Sequence, residues 1–138
     1  MSKIVAYLNF PGTCREAMTF YQQCLGGELQ LSSFADSPNP EQLPEAARNG
    51  VMHANLVNGS LTLMASDNPL GPVTNGDSVS LSVDCASAAE AEHLFAALGQ
   101  RGTVTMPLAD QFWGAKFGML TDQFGIHWMV NHDYNKPE

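Results

Sequence analysis

FWGAKFGMLTDQFGIHWMVN, residues Phe112 to Asn131, decides how the rest of the chain is read. It holds both tryptophans and, between two apolar runs, the turn-like Asp122-Gln123-Phe124-Gly125. Gly and Asp accept tight or positive backbone angles, and the flanking runs suit a pleated surface, so the stretch is expected to form a β-hairpin. That hairpin needs partner strands from the chain upstream.

Working back to the N-terminus, Lys3 to Phe10 is β-rich and nearly unbroken in apolar character, as in a strand covered on both faces. After Pro11-Gly12, Thr13 followed by Glu16 has the form of a capping box that opens a helix. Ala17, Met18, Tyr21, Cys24 and Leu25 share one helical face, and Gly26-Gly27 ends it. Glu28 to Phe34 can form a second strand. Residues 35–50, with three prolines, form a long loop holding a turn of helix near Glu45 to Arg48. Val51 to Val57 and Leu61 to Ser66 flank Asn58-Gly59, a strong hairpin signal.

The order then repeats. A strand at Ser78 to Asp84 leads to a second capping box, Ser87 to Glu90. A helix follows that buries Ala91, Leu94, Phe95 and Leu98 and stops at Gly99. Val104 to Leu108 and the opening hairpin supply three more strands. Thr13 and Ser87 stand 74 positions apart, which marks an internal duplication of a βαβββ unit. The chain is therefore expected to be one α+β domain, 1–138. Its two modules, about 1–67 and 77–138, are joined by a Pro/Gly-rich connector at 68–76, and their curved sheets form a cup.

Composition narrows the partners. The net charge is −8, and the six Lys and Arg residues are scattered, so no basic patch is available for nucleic acid or an anionic membrane. No apolar run approaches the roughly 20 residues needed to span a bilayer. The N-terminal Met1-Ser2-Lys3-Ile4 lacks the pattern of a signal peptide, which makes the cytoplasm the expected location. Cys14, Cys24 and Cys85 are an odd number at spacings that suit neither zinc nor a disulfide framework, and read as buried free thiols.

The paired modules, the Gly12-Thr13-Cys14-Arg15-Glu16-Ala17 start, Phe20-Tyr21 with Leu25-Gly26-Gly27, and Asp122 to Trp128 together resemble the vicinal-oxygen-chelate superfamily, which includes glyoxalases, bleomycin-binding proteins and extradiol dioxygenases. Phe10-Pro11-Gly12, Met52-His53-Ala54, Met64 to Asp67 and Phe112-Trp113-Gly114 narrow the resemblance to its PhnB-like branch. The resemblance implies a glyoxalase/bleomycin-resistance-like fold, a homodimer, and a small-molecule ligand or substrate in the cup. It also implies metal ligands on the first and last strand of each module. Here those positions fall near Ala6, Ser78 and Met129 and within Leu61 to Met64, which supply no set of three strong donors, so no metal is expected. Members of this branch carry a demethylubiquinone methyltransferase label. No Rossmann-type motif for a nucleoside methyl donor occurs in the chain, and no cofactor is expected.

Candidate site residues follow. His53 shares a strand face with Asn55 and reads either as a cup-wall base or as a core histidine with its hydrogen bonds satisfied. Asp67, at a strand end, either pairs with His53 for acid-base chemistry or binds backbone amides in a turn. Tyr7, Trp113, Phe117 and Trp128 either line an aromatic pocket or pack in the core. His127 and Met129 alternate on the last strand and complete the ligand-binding set. His93 and His132 read as surface residues. The favoured function is a metal-free small-molecule binder of the PhnB-like branch. The alternatives are a glyoxalase- or dioxygenase-type enzyme with a displaced metal site, or a resistance protein that sequesters an antibiotic.

Overall fold

The computed structural model describes residues 2–68 and 71–135. Residues 69 and 70 of the expected connector, and residues 1 and 136–138 at the ends of the expected modules, lie outside the described residues. The chain divides into two compact units, Met1–Thr74 and Asn75–Glu138.

The first unit runs β1 (Ala6–Phe10), α1 (Cys14–Leu25), β2 (Glu28–Ser33), β3 (Val51–Asn58) and β4 (Leu61–Asp67). Three short 3-10 turns, Phe34–Asp36, Pro40–Gln42 and Glu45–Ala47, occupy the long loop before β3, where one had been expected. The sheet order is β1-β4-β3-β2, with β1 parallel to β4 and the other pairs antiparallel. Helix α1 covers one face. It buries Cys14, Ala17, Met18 and Tyr21 with Phe10, Ala54, Leu56, Leu63 and Ala65 of the sheet. Full burial of Phe10, Met18 or Leu56 contributes about 1.5–3 kcal/mol each. Cys24 and Leu25, expected on the buried face, are only half-buried, because the helix ends there. At Gly27 the chain has φ +99°, and a Cβ would collide with the Val57 carbonyl. Only glycine lets the helix end pass so close to β3.

The second unit repeats the plan with β5 (Leu81–Asp84), α2 (Ala88–Leu98), β6 (Thr103–Asp110), β7 (Ala115–Thr121) and β8 (His127–Asp133), in the order β5-β8-β7-β6. β5 is parallel to β8, and the other pairs are antiparallel. The hairpin of the opening stretch forms about the turn at Asp122 to Gly125. Gly125 takes φ +88° there. Ala91, Leu94 and Leu98 of α2 are buried, as are Ala115, Leu120, Trp128 and Val130 of the sheet, whereas Phe95 is half-buried. β5 is shorter than expected, starting at Leu81 rather than Ser78.

The two helices start by different means. Ser87 Oγ accepts the N–H of Glu90 at 3.1 Å, and the Glu90 carboxylate accepts that of Ala86 at 3.3 Å, close to the expected capping box. Thr13 makes no side-chain cap bond. Its place is taken by the distant Asp67, whose Oδ1 accepts the N–H groups of Gly12 at 3.0 Å and Cys14 at 2.8 Å. Among the described residues no helix is long and apolar enough to cross a membrane.

Candidate functional site

Each sheet has one face under its helix and one away from it. Side chains alternate between faces along a strand, and directly paired residues share a face, so the register assigns every candidate.

In the first unit, Tyr7 pairs with Met64 and Met64 with Asn55, which pairs with Gln30; these four form one row on the open face. The adjacent row holds Asn9, Ser66, His53 and Ser32. Tyr7, 47% exposed, stands over His53: its hydroxyl lies 3.4 Å from Nδ1, and the ring centroids are 5.9 Å apart. Asn55 Oδ1 is buried and has no hydrogen-bond partner among the described residues. Few buried polar atoms in a folded chain are left so.

Asp67 has the opposite parity and faces the helix with Leu63 and Ala65. Of the two readings of Asp67, the pair with His53 does not form, because alternation sets the two side chains on opposite faces, and the bonding to backbone amides does. Asp67 is 5% exposed, and its second oxygen accepts the N–H of Val51 at 2.8 Å. Three backbone amides hold this carboxylate, and its geometry is that of a brace joining β3, β4 and the start of α1.

In the second unit, Ser82, Met129, Met119 and Met106 form one open-face row, and Asp84, Asn131, Phe117 and Ala109 form the next. Trp113, 50% exposed, packs edge-on against Phe117 with centroids 6.0 Å apart, and Phe112, 96% exposed, packs edge-on against Trp113. Asn131 Nδ2 donates to Asp84 Oδ1 at 3.1 Å. Trp128, by contrast, lies under α2 at 3% exposure and donates Nε1–H to the buried Asp122 at 2.7 Å. It is a core residue of the second unit, not a wall of an open face.

His127 Nε2 lies 2.8 Å from the Gly76 carbonyl, and Nδ1 lies 2.8 Å from Thr121 Oγ1. A carbonyl only accepts, so Nε2 carries the proton and, in the neutral ring, Nδ1 accepts from the hydroxyl. Nε2 fastens residue 76 to the hairpin, and Nδ1 holds the ring against Thr121 within it. His132 is not a surface group: it is half-buried, with Nδ1 2.8 Å from the Cys85 carbonyl. His93 is exposed. Asn55 gained its importance only from the register, and so did Met119, through its pairing with Met129, and Met106, whose face is set by an irregularity within β6.

The residues present do not suit a divalent metal at the positions that the resemblance implies. Met129 offers a thioether, a poor ligand for hard divalent cations, and Ala6 pairs with Leu63 on the helix side. Among the described residues no three His, Cys, Asp or Glu side chains cluster. A nucleoside-type methyl donor in a doubly wound fold lies at a strand-to-helix turn. Here Asp67 fills the first such turn, and Ser87 with Glu90 closes the second.

Cys14 and Cys85 carry free, buried thiols. Burial, with the nearby Asp67 carboxylate, pushes the Cys14 thiol up to about 12, and burial with Glu90 and Asp84 pushes Cys85 up to about 11. Lys116 is raised by its bond to Glu92 at 3.2 Å, and Tyr134 by its bond to Asp110 at 2.6 Å.

Two four-stranded mixed sheets, each with one helix on one face, define an α+β protein of the glyoxalase/bleomycin-resistance type. A glyoxalase/bleomycin resistance protein/dioxygenase family enzyme from Burkholderia phytofirmans PsJN shares this fold at a TM-score of 0.63 and 17% identity, over 92% of this chain and 96% of that one. Residues 2–131 match the family described as 3-demethylubiquinone-9 3-methyltransferase, and the chain belongs to that family, the PhnB-like branch of the superfamily. The chain is similar to protein PA1353 from Pseudomonas aeruginosa, with a TM-score of 0.86 and 49% identity over 96% of this chain and 98% of that one. A putative 3-demethylubiquinone-9 3-methyltransferase, PhnB protein, from Bacillus cereus superposes with a TM-score of 0.76 at 27% identity, over 95% and 99% of the two chains. Protein YjdN of Escherichia coli K12 is 32% identical over 143 residues, 95% of each chain.

Proposed function

We propose that the chain binds a small organic molecule on the open face of its first unit, through Asn55, His53 and Tyr7, without a divalent metal or a methyl donor. The observation that carries this reading is the buried Asn55 Oδ1 with no partner. An unsatisfied buried amide oxygen costs about 1–3 kcal/mol, and a ligand N–H or O–H removes that cost. The partly exposed Tyr7 ring and the His53 imidazole beside it supply a stacking surface and a second hydrogen-bonding group. The methyl-transfer name of the family contributes nothing to this reading, because backbone amides at both strand-to-helix turns are already bonded, to Asp67 in the first and to Ser87 and Glu90 in the second.

The test uses protein labelled with ¹³C at the methionine methyls and a fragment set of amides, ureas and phenols. Met64, next to Asn55 in the row, is the reporter, and the buried Met18 under α1 is the control. The expected result is a shift of Met64 alone, lost in Asn55→Leu. The same variant is expected to be more stable than the parent by about 1–3 kcal/mol, since it removes the orphaned oxygen. No shift at Met64 with any fragment, or a less stable Asn55→Leu protein, overturns the proposal.

A second reading adds catalysis, and the Tyr7–His53 contact favours it. In the tautomer that carries its proton on Nδ1, facing the Tyr7 oxygen, His53 presents Nε2 as a proton acceptor to a bound molecule. His53→Gln that leaves binding intact while ending turnover of a bound fragment supports that role, whereas unaltered turnover removes it. The same overall reading takes the chain as a homodimer. Sedimentation at twice the chain mass supports that state, and a monomer mass removes it.

A further inference from the structure

We propose that Met106, Met119 and Met129 form a binding site for a soft monovalent cation, copper(I) or silver(I), on the open face of the second unit. Met106 pairs with Met119 and Met119 with Met129, so three thioethers stand in one row across β6, β7 and β8. Adjacent strands lie about 4.8 Å apart, and methionine is unbranched with three rotatable bonds. Three sulfurs on neighbouring strands can therefore turn toward one ion.

The row exists because β6 is irregular. Val104 pairs with the helix-side Leu120, and the register then shifts, so that Met106 pairs with the open-face Met119. In a regular strand Met106 would share the face of Val104. A bulge that re-aims a side chain is a common device beside functional sites. All three methionines are half-buried, within reach of solvent, unlike the core residue Met18.

Donor chemistry selects the ion. Thioethers are soft and neutral, and the remaining member of the row, Ser82, brings no charge. Such a set favours a soft monovalent ion over zinc, magnesium or calcium. Phe117, in the adjacent row, and Trp113 against it add aromatic surface that attracts a cation. Rival soft donors are weak: Cys14 and Cys85 are buried and held protonated, which leaves Cys24, half-buried on α1.

The experiment titrates silver nitrate into Cys24→Ser protein labelled with ¹³C at the methionine methyls, and repeats the titration with copper(I) supplied as its acetonitrile complex. The expected result is that Met106, Met119 and Met129 shift together and saturate at one equivalent, while Met18, Met52 and Met64 stay in place. Met119→Leu, a volume-conserving change at the middle of the row, is expected to weaken binding at least tenfold, and Met64→Leu to leave it unchanged. Where the Met119 variant fails to fold, Met129→Leu gives the same readout. Shifts at fewer than three of these methyls, or an unaltered titration in the middle-row variant, overturn the proposal.

Discussion

Asp67 Oδ1 accepts the backbone N–H of Cys14 at 2.8 Å, so the last residue of β4 caps the first turn of a helix 53 positions earlier in the chain. The same carboxylate holds Gly12 and Val51. A negative side chain at a helix N-terminus also meets the positive end of its dipole. Asp67→Ala leaves three backbone donors without their acceptor, and the expected loss is at least about 3 kcal/mol. Urea unfolding measures it. Asp67→Asn keeps the shape and loses less. An Asp67→Asn protein of parental stability would show that the carboxylate is not a brace.

How much of this was legible in the sequence depends on the range of the interaction. Turns built by local chemistry, Asn58-Gly59 and Asp122 to Gly125, form where the residues place them, and so does the Ser87 cap. Thr13 has the same local signature, yet its helix is capped from β4 by Asp67, and no local pattern shows that. Strand parity is equally hidden. Trp128 and Met129 are neighbours, but one lies in the core and the other on the open face, and only the pairing with Leu120 and Met119 decides which. The register shift between Val104 and Met106 carries Met106 to the open side. From the sequence, Val104 to Leu108 reads as a regular strand.

Thiol burial sets a pH window. Cys14 and Cys85 have folded values of about 12 and about 11, above the ordinary 9.0. A raised value means that the folded chain holds its proton more tightly than the unfolded chain. This contribution is therefore complete below pH 9.0 and is lost as pH rises toward 11 for Cys85 and 12 for Cys14. Within its window each thiol adds a slope of about 1.4 kcal/mol per pH unit. Unfolding followed from pH 8 to 11 is expected to show falling stability, with a shallower fall in Cys14→Ala. At pH 8, alkylation by iodoacetamide is expected at Cys24 first. Equal modification of all three cysteines in the folded protein would contradict the burial argument.

Gly118 lies in β7 where a side chain has no room. An added Cβ would stand 2.7 Å from Phe95 Cε1 of α2 and 2.8 Å from Leu108 Cα of β6. The phenyl ring can turn aside, but the β6 backbone cannot without disturbing its ladder. Gly118→Ala is expected to cost about 1–3 kcal/mol, seen as a lower urea midpoint at unchanged slope. Adding Phe95→Ala to the variant removes one clash and leaves the other, so the double variant should not recover the parental midpoint. Full recovery would assign the whole effect to the ring.

The two tryptophans report on opposite faces of the second unit. Trp128 is 3% exposed and bonded to Asp122 at 2.7 Å, while Trp113 is 50% exposed against Phe117. Trp113→Phe should leave a blue-shifted emission that acrylamide quenches weakly. Trp128→Phe should leave a red-shifted emission that it quenches readily. The second change also removes a buried hydrogen bond to a carboxylate, worth about 1.5–3 kcal/mol, so only it should lower the urea midpoint markedly. Asp122 also accepts the N–H groups of Phe124 at 2.8 Å and Ile126 at 3.1 Å, which ties the indole to the hairpin turn. Asp122→Asn is therefore expected to destabilise the fold even with both tryptophans present. A stable Asp122→Asn protein with unchanged Trp128 emission would show that the turn and the core are held by other contacts.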